Sequence, residues 1–151
     1  MKRYYLAYGS NLNIEQMGYR CPDAKRVGTT EIPDYRLAFK GSRTGSYLTI
    51  EECKGASVPV GIWEVSAGDE RNLDRYEGYP TFYSKHNVQL RLGKGRKEKS
   101  VGFIYIMNSI HGYGIPSETY MEICREGYND FGFEPHFLED AYKLSAERSG
   151  R

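Results

Sequence analysis

A short apolar run, Tyr4, Tyr5, Leu6 and Ala7, is cut off by Tyr8-Gly9-Ser10-Asn11. A strand that ends on Gly-Ser-Asn and turns into a helix leaves several backbone N–H groups pointing one way. Such groups form a pocket for an anion. Gly9 lets the backbone approach a ligand closely because no Cβ intervenes. Ser10 and Asn11 add short polar side chains that hold the turn or touch the ligand. The residue types therefore point to a site for a carboxylate or a phosphate, set against the plainer alternative of an ordinary strand-to-helix turn.

Beyond this turn the chain has the pattern of a small mixed α+β domain. Residues 3–8 form a strand. Asn13 caps a short helix with Gln16 in the capping-box position, Ile14 and Met17 give it an apolar face, and Cys21-Pro22 ends it. Tyr35, Leu37 and Phe39 alternate as a strand, residues 41–45 read as a loop, and 47–51 and 58–62 read as two further strands. Ser66 caps a helix over 67–76 that stops at Gly78, with Leu73 and Tyr76 as its buried edge. Residues 82–92 and 101–107 pair as strands about a basic turn. Ser117 opens a helix carrying Tyr120, Cys124, Tyr128 and Phe131 that Gly132 ends, and Pro135 opens a last one with Leu138, Ala141, Tyr142 and Leu144 inward. Residues 147–151 are expected to fray. Six strands with helices inserted and appended predict a barrel-like curled sheet with a mouth at one end.

A chain of 151 residues, 39% hydrophobic and 27% charged, suits one domain, residues 1–151 with a core over about 3–145. Its 14 tyrosines suit a core that opens onto a polar cavity. A formal net charge of +1 gives no electrostatic reason to bind nucleic acid or a membrane. Lys94, Arg96, Lys97 and Lys99 carry no interleaved aromatics and read as a solvated hairpin tip. Cys21, Cys53 and Cys124 are odd in number and far apart, so neither a disulfide framework nor a zinc site is expected. With no signal sequence and no membrane-length apolar run, the expected location is the cytoplasm.

Glu77 is the residue that can do chemistry. Tyr76, Tyr79, Phe82 and Tyr83 lie close to it in sequence. If they wall it from water its pKa rises, and a carboxyl half-protonated near neutrality both takes and gives a proton. The alternative is a solvated helix-end glutamate. His86, His111 and His136 are isolated, and no metal, dinucleotide or P-loop signature is present.

Three motifs in order resemble the γ-glutamylcyclotransferase family, of AIG2-like fold. They are Tyr5-Leu6-Ala7-Tyr8-Gly9-Ser10-Asn11, Leu73-Asp74-Arg75-Tyr76-Glu77-Gly78, and the Pro116-Ser117-x-x-Tyr120 that opens a helix. The resemblance spans about residues 4–145 and matches the Tyr-Gly-Ser-Asn members better than those reading Tyr-Gly-Ser-Leu or Tyr-Gly-Thr-Leu. It implies a compact mixed barrel whose cavity holds a γ-glutamyl group. The backbone of Tyr5, Leu6, Ala7, Tyr8, Gly9 and Ser10, with Asn11, would bind the substrate. Glu77 would be the acid/base, and Tyr120 would line the pocket and donate its hydroxyl. The implied reaction closes the α-amine of a γ-glutamyl amide onto its own γ-carbonyl, giving 5-oxoproline and a free amine with no cofactor or metal. The partner is then a small γ-glutamyl molecule, and a homodimer is left open. Two other readings stay open beside it: a non-catalytic binder of a small γ-glutamyl-like acid, and an amidohydrolase with Ser10 as nucleophile.

Overall fold

The computed structural model describes residues 3–42 and 44–150. The first strand, β1 (Arg3–Ala7), leads through a 3-10 turn (Ser10–Leu12) into α1 (Ile14–Arg20). Two long strands come after it, β2 (Lys25–Ser42) and β3 (Gly45–Val65), then α2 (Ala67–Glu77). The hairpin β4 (Tyr83–Leu92) and β5 (Glu98–Met107) is next, then β6 (Gly112–Tyr113), α3 (Glu118–Phe131) and α4 (His136–Arg148). The strands form one curled six-stranded sheet in the order β4-β5-β1-β3-β2-β6. This is the expected class, a barrel-like curled sheet with inserted and C-terminal helices.

The strand that carries the Gly-Ser-Asn turn lies inside the sheet. It pairs antiparallel with β3 (Tyr5 opposite Trp63) and parallel with β5 (Tyr5 opposite Phe103). A strand paired on both edges is held in one place, so the turn at its end is held too. The ladder between β2 and β3 is broken between Arg26 and Gly28 and again between Pro33 and Tyr35. At the second break Asp34 takes a left-handed φ of 63° and its side chain accepts from the N–H of Gly55 at 2.9 Å. Bulges of this kind add bend and twist, which is how so long a ribbon curls.

Several local expectations need correction. The strands read at 47–51 and 58–62 are halves of one strand, β3, because pairing to β2 resumes across residues 53–56. The 41–45 loop is the tight end of that hairpin, with Ser42 opposite Gly45; Arg43, within it, lies outside the described residues. Asn13 does cap α1, its side chain accepting from the Gln16 N–H at 3.0 Å. The reciprocal half of the box is missing because Gln16 Oε1 is taken by Arg20 at 2.6 Å. Met17 is buried but Ile14 is 43% exposed, so the apolar face of α1 is one residue wide. On α2 Leu73 is buried and Tyr76 is exposed; on α4 Tyr142 is exposed and Ser145 is buried, where its hydroxyl accepts from the Phe39 N–H at 2.8 Å. α4 stays helical to Arg148; the last residue, Arg151, is outside the described residues.

Candidate active site

Glu77 is the last residue of α2, and local signals set that position at both ends of the helix. Ser66 and Asp69 bond each other's backbone N–H groups at 3.1 and 3.2 Å in a complete capping box. Gly78 ends the helix at φ 65°, a left-handed conformation that suits glycine. Ion pairs then fasten α2 to the sheet: Lys85 reaches Glu70 at 2.7 Å and Asp74 at 2.9 Å, and Arg3 reaches Glu70 at 2.9 Å. The Tyr105 hydroxyl donates to Asp74 at 2.6 Å.

So placed, Glu77 faces a cavity of about 300 Å³ lined by residues of β1 and its turn, β3, β4, β5 and α3. The expected Tyr5, Tyr8, Gly9, Ser10, Asn11 and Tyr120 all line it with Glu77. Leu6 and Ala7 do not; both are fully buried within β1 and act through the strand they build. The rest of the wall is aromatic. Phe82 and Tyr83 belong to the aromatic group close to Glu77 in sequence, but Tyr47 and Tyr105 arrive from β3 and β5, together with Leu48.

The 3-10 turn is closed by Leu12 N–H to Gly9 O at 3.0 Å and Asn13 N–H to Ser10 O at 3.1 Å. The N–H groups ahead of these, on Ser10 and Asn11, fall outside the turn's own bonding. A Cβ at Gly9 would stand 3.3 Å from Leu48 Cδ1 and 3.4 Å from the Tyr120 oxygen, so a side chain there would crowd the cavity wall. Asn11 links turn to acid: its Nδ2 donates to Glu77 Oε2 at 3.2 Å and to the Tyr5 hydroxyl at 2.9 Å. Its backbone oxygen accepts from Trp63 Nε1 at 2.9 Å. Carboxylate and turn are therefore one small molecule's reach apart.

The electrostatics follow from burial. Desolvation pushes the Glu77 pKa up to about 8, and the nearby Arg20 guanidinium opposes the rise. Tyr5, Tyr8, Tyr83 and Tyr120 are held above the ordinary phenol value, first by burial. They remain neutral hydrogen-bond donors. Tyr8 and Tyr83 spend their protons on the carbonyls of Tyr105 and Leu48 at 2.6 and 2.7 Å. Tyr120 instead accepts from the Leu48 N–H at 3.1 Å, with the Cys124 thiol beside its hydroxyl, and Tyr5 accepts from Asn11, which leaves the Tyr5 proton for a ligand and the Tyr120 proton shared only with a weak acceptor.

A raised carboxyl pKa carries a stability cost of definite sign. Between the ordinary value of 4.5 and about 8 the unfolded chain has released this proton while the folded chain keeps it. Stability is therefore lost as pH rises through that window and levels off above it. Glu77→Gln removes the effect, so the variant should be more stable than the wild type. The gap should open from pH 5 and reach on the order of 2 kcal/mol at pH 8, after allowance for screening at a partly exposed residue. Urea unfolding across that range measures it, and parallel curves for the two proteins would contradict it.

Arg20, Tyr47, Leu48 and Tyr105 are the site residues that sequence reading missed. Arg20 alone left a signal, an arginine four residues after Gln16 in the last turn of the helix beyond the glycine turn. The other three depend on how the strands are laid side by side. Among the described residues no group of three or more His, Cys, Asp or Glu side chains converges as a metal site would. No helix among them is long and apolar enough to cross a membrane.

The chain matches the family model described as gamma-glutamyl cyclotransferase, AIG2-like, over residues 5–122. It is 27% identical over 143 residues to the gamma-glutamylcyclotransferase of Homo sapiens, covering 89% of this chain and 74% of that protein. A solved gamma-glutamyl cyclotransferase structure superimposes with a TM-score of 0.78 at 24% identity, over 93% of this chain and 86% of the other. A second solved structure, of a Homo sapiens protein described as uncharacterized, gives the same TM-score at 26% identity, over 93% and 86% of the two chains. A match that runs from the strand before the glycine turn into the helix bearing Tyr120 takes in all three motifs, and the chain belongs to the gamma-glutamyl cyclotransferase, AIG2-like family.

Proposed function

We propose that this protein cyclises γ-glutamyl amides, γ-glutamyl amino acids or γ-glutamyl-capped metabolites, to 5-oxoproline and a free amine, with Glu77 as general acid and base. The observation that carries the reading is a carboxyl with a pKa of about 8 in an aromatic cavity, one hydrogen bond from the Gly9–Asn11 turn. The substrate's α-carboxylate lies against the backbone of the turn. Ionised Glu77 takes a proton from the α-ammonium, and the freed amine attacks the γ-carbonyl carbon. Negative charge gathers on the carbonyl oxygen, where N–H groups of the turn and the Tyr5 or Tyr120 hydroxyl can meet it. Protonated Glu77 then hands its proton to the departing nitrogen as the amide C–N bond breaks, and, ionised again, takes the extra proton from the new ring nitrogen, which the released amine carries away as an ammonium.

Both halves of that proton traffic need the carboxyl in both states near neutral pH, which a pKa of about 8 provides. The nucleophile is part of the substrate, so holding the substrate folded supplies much of the rate, up to roughly 7–11 kcal/mol in favourable cases. The cavity is at the small end of the range for ligand sites, suited to one compact molecule. The Ser10 hydroxyl is engaged with the Tyr76 hydroxyl at 3.2 Å rather than with a base, which disfavours it as a nucleophile. The three cysteines are free, which suits a reducing compartment and a cytoplasmic enzyme, and burial pushes the Cys21 and Cys124 thiols up to about 12, so neither is a ready nucleophile.

Incubation with γ-glutamyl-alanine tests the reading through its products. Equal amounts of 5-oxoproline and alanine are expected. Glutamate and alanine would mean hydrolysis and bring Ser10 forward. Saturable binding with neither product over hours would make the protein a binder.

A further inference from the structure

Arg20 lines no part of the cavity, yet its side chain is fixed on three sides. Nη1 donates to Asn11 Oδ1 at 2.5 Å and Nη2 to Gln16 Oε1 at 2.6 Å. The guanidinium lies over the Tyr76 ring, 3.7 Å from its centre, in the turn of α2 that carries Glu77. Its own backbone carbonyl accepts from Asn72 Nδ2 of α2 at 2.9 Å. A planar fork held at both prongs and stacked on one face has little freedom left.

The consequence falls on Asn11. An amide has an oxygen end and a nitrogen end, and either could face Glu77. With a cation on Oδ1, the NH₂ end must point the other way, and both its protons are used there, on Glu77 and on Tyr5. We propose that Arg20 is a positioning residue for the reaction: by holding Asn11 Oδ1 it turns the amide so that an N–H, rather than a carbonyl oxygen, meets the Glu77 carboxylate. The proposal rests on Glu77 being the acid/base.

An N–H donor favours the ionised carboxylate, and a carbonyl oxygen would favour the acid. The clamp therefore sets how much of the base form is present to begin catalysis. Other groups that face Glu77 across the cavity are phenols: Tyr5 from β1, Tyr8 after it, Tyr47 from β3, Tyr83 from β4, Tyr105 from β5 and Tyr120 from α3. Burial works against the charge of Glu77 and Arg20 works for it. With the clamp gone, burial acts with less opposition.

The test uses Arg20→Met and Arg20→Lys in the whole chain, with two readouts. One is the Glu77 titration followed by its carboxyl ¹³C resonance, identified by its loss in Glu77→Gln. The other is the pH profile of kcat/KM with γ-glutamyl-alanine. In Arg20→Met the midpoint should rise by roughly one unit, so that kcat/KM at pH 7 falls about tenfold and its acid limb moves with the midpoint. Arg20→Lys keeps the charge without the fork and should fall between the two. An unmoved midpoint in both variants overturns the proposal, including the case where activity drops evenly at all pH, which is what a merely structural role would give. Should Arg20→Met fail to fold, a raised midpoint in Arg20→Lys supports the proposal and an unmoved one overturns it. If the wild type forms no 5-oxoproline, the proposed function fails separately, whatever the titration shows.

Discussion

Glu77→Gln should lower kcat for γ-glutamyl-alanine by about 10²–10⁴-fold, the usual worth of general acid–base help, while KM moves only a few-fold. The side chains match in size, and the glutamine oxygen can still accept from Asn11 Nδ2, so the pocket keeps its shape. What is lost is the ability to hold a proton in one step and release it in the next. At about 1.4 kcal/mol per decade this is roughly 3–6 kcal/mol of barrier, far more than one neutral hydrogen bond supplies. The pH profile adds a second, independent check. Wild-type kcat/KM should fall about tenfold per unit as pH drops below about 8, because in the proposed mechanism only ionised Glu77 begins the reaction. The variant should lose that limb along with its rate. Turnover within tenfold of wild type, with the limb intact, would remove Glu77 from the acid/base role.

The loss of activity and the expected gain in stability come from the same atom. A carboxyl desolvated enough to titrate near 8 strains the fold at neutral pH, and the same desolvation suits it to the proposed base and acid role. Tyr76 shows the same division within one helix. Read as part of a buried edge, it is 45% exposed on one side, yet on the other it supports the Arg20 guanidinium and bonds Ser10. Period-based reading treats any aromatic residue at helical spacing as core. It has no means of recognising one that lines a cavity and carries a cation.

The sequence disclosed those parts of the structure that are written locally. Both ends of α2 could be read because a capping box and a left-handed glycine are each encoded within a few residues. The β4–β5 hairpin and the Ser117 cap of α3 were legible for the same reason. The long β2–β3 ribbon was not, since its bulges interrupt the alternation that marks a strand, and β6 is two residues long. The parallel pairing of β1 with β5 joins residues far apart in the chain, Tyr5 with Phe103, and has no local signature. The site divides along the same line. Gly9, Ser10, Asn11, Glu77 and Tyr120 sit in contiguous motifs, whereas Tyr47, Leu48 and Tyr105 reach the cavity only through strand register. Arg20 reaches it only through a side-chain bond.

The second large effect is expected at Gly127, a residue of α3 that lines no part of the cavity. The 3-10 turn keeps its position because Leu12 is wedged between two glycines. A Cβ on Gly61 of β3 would come 2.7 Å from Leu12 Cδ2, and one on Gly127 would come 2.7 Å from the Asn13 nitrogen and 2.9 Å from the Leu12 carbonyl carbon. The last two are backbone atoms, which cannot swing aside as a side-chain tip can. Further bonds tie α3 to the same stretch: Asn13 Nδ2 donates to Ile123 O at 3.0 Å, and the Tyr128 hydroxyl to Tyr8 O at 2.9 Å. Gly127→Val must therefore push α3 off the turn or distort the turn itself. The cost should be about 3 kcal/mol or more, the upper end of the range for overpacking, with a Tm lower by roughly 6–12 °C. Trp63, the single tryptophan, reports the movement directly, since its Nε1 bonds Asn11 O and its ring packs edge-on against Phe131 of α3. Its emission should shift to the red in the variant, and kcat/KM should fall because Asn11 no longer holds its place beside Glu77. Gly18→Ala on α1 supplies the contrast: nothing lies within 4 Å of its Cβ, so that variant should match or slightly exceed the wild type in stability. Equal Tm values for Gly127→Val and Gly18→Ala would show that the close approach of α3 does not hold the turn.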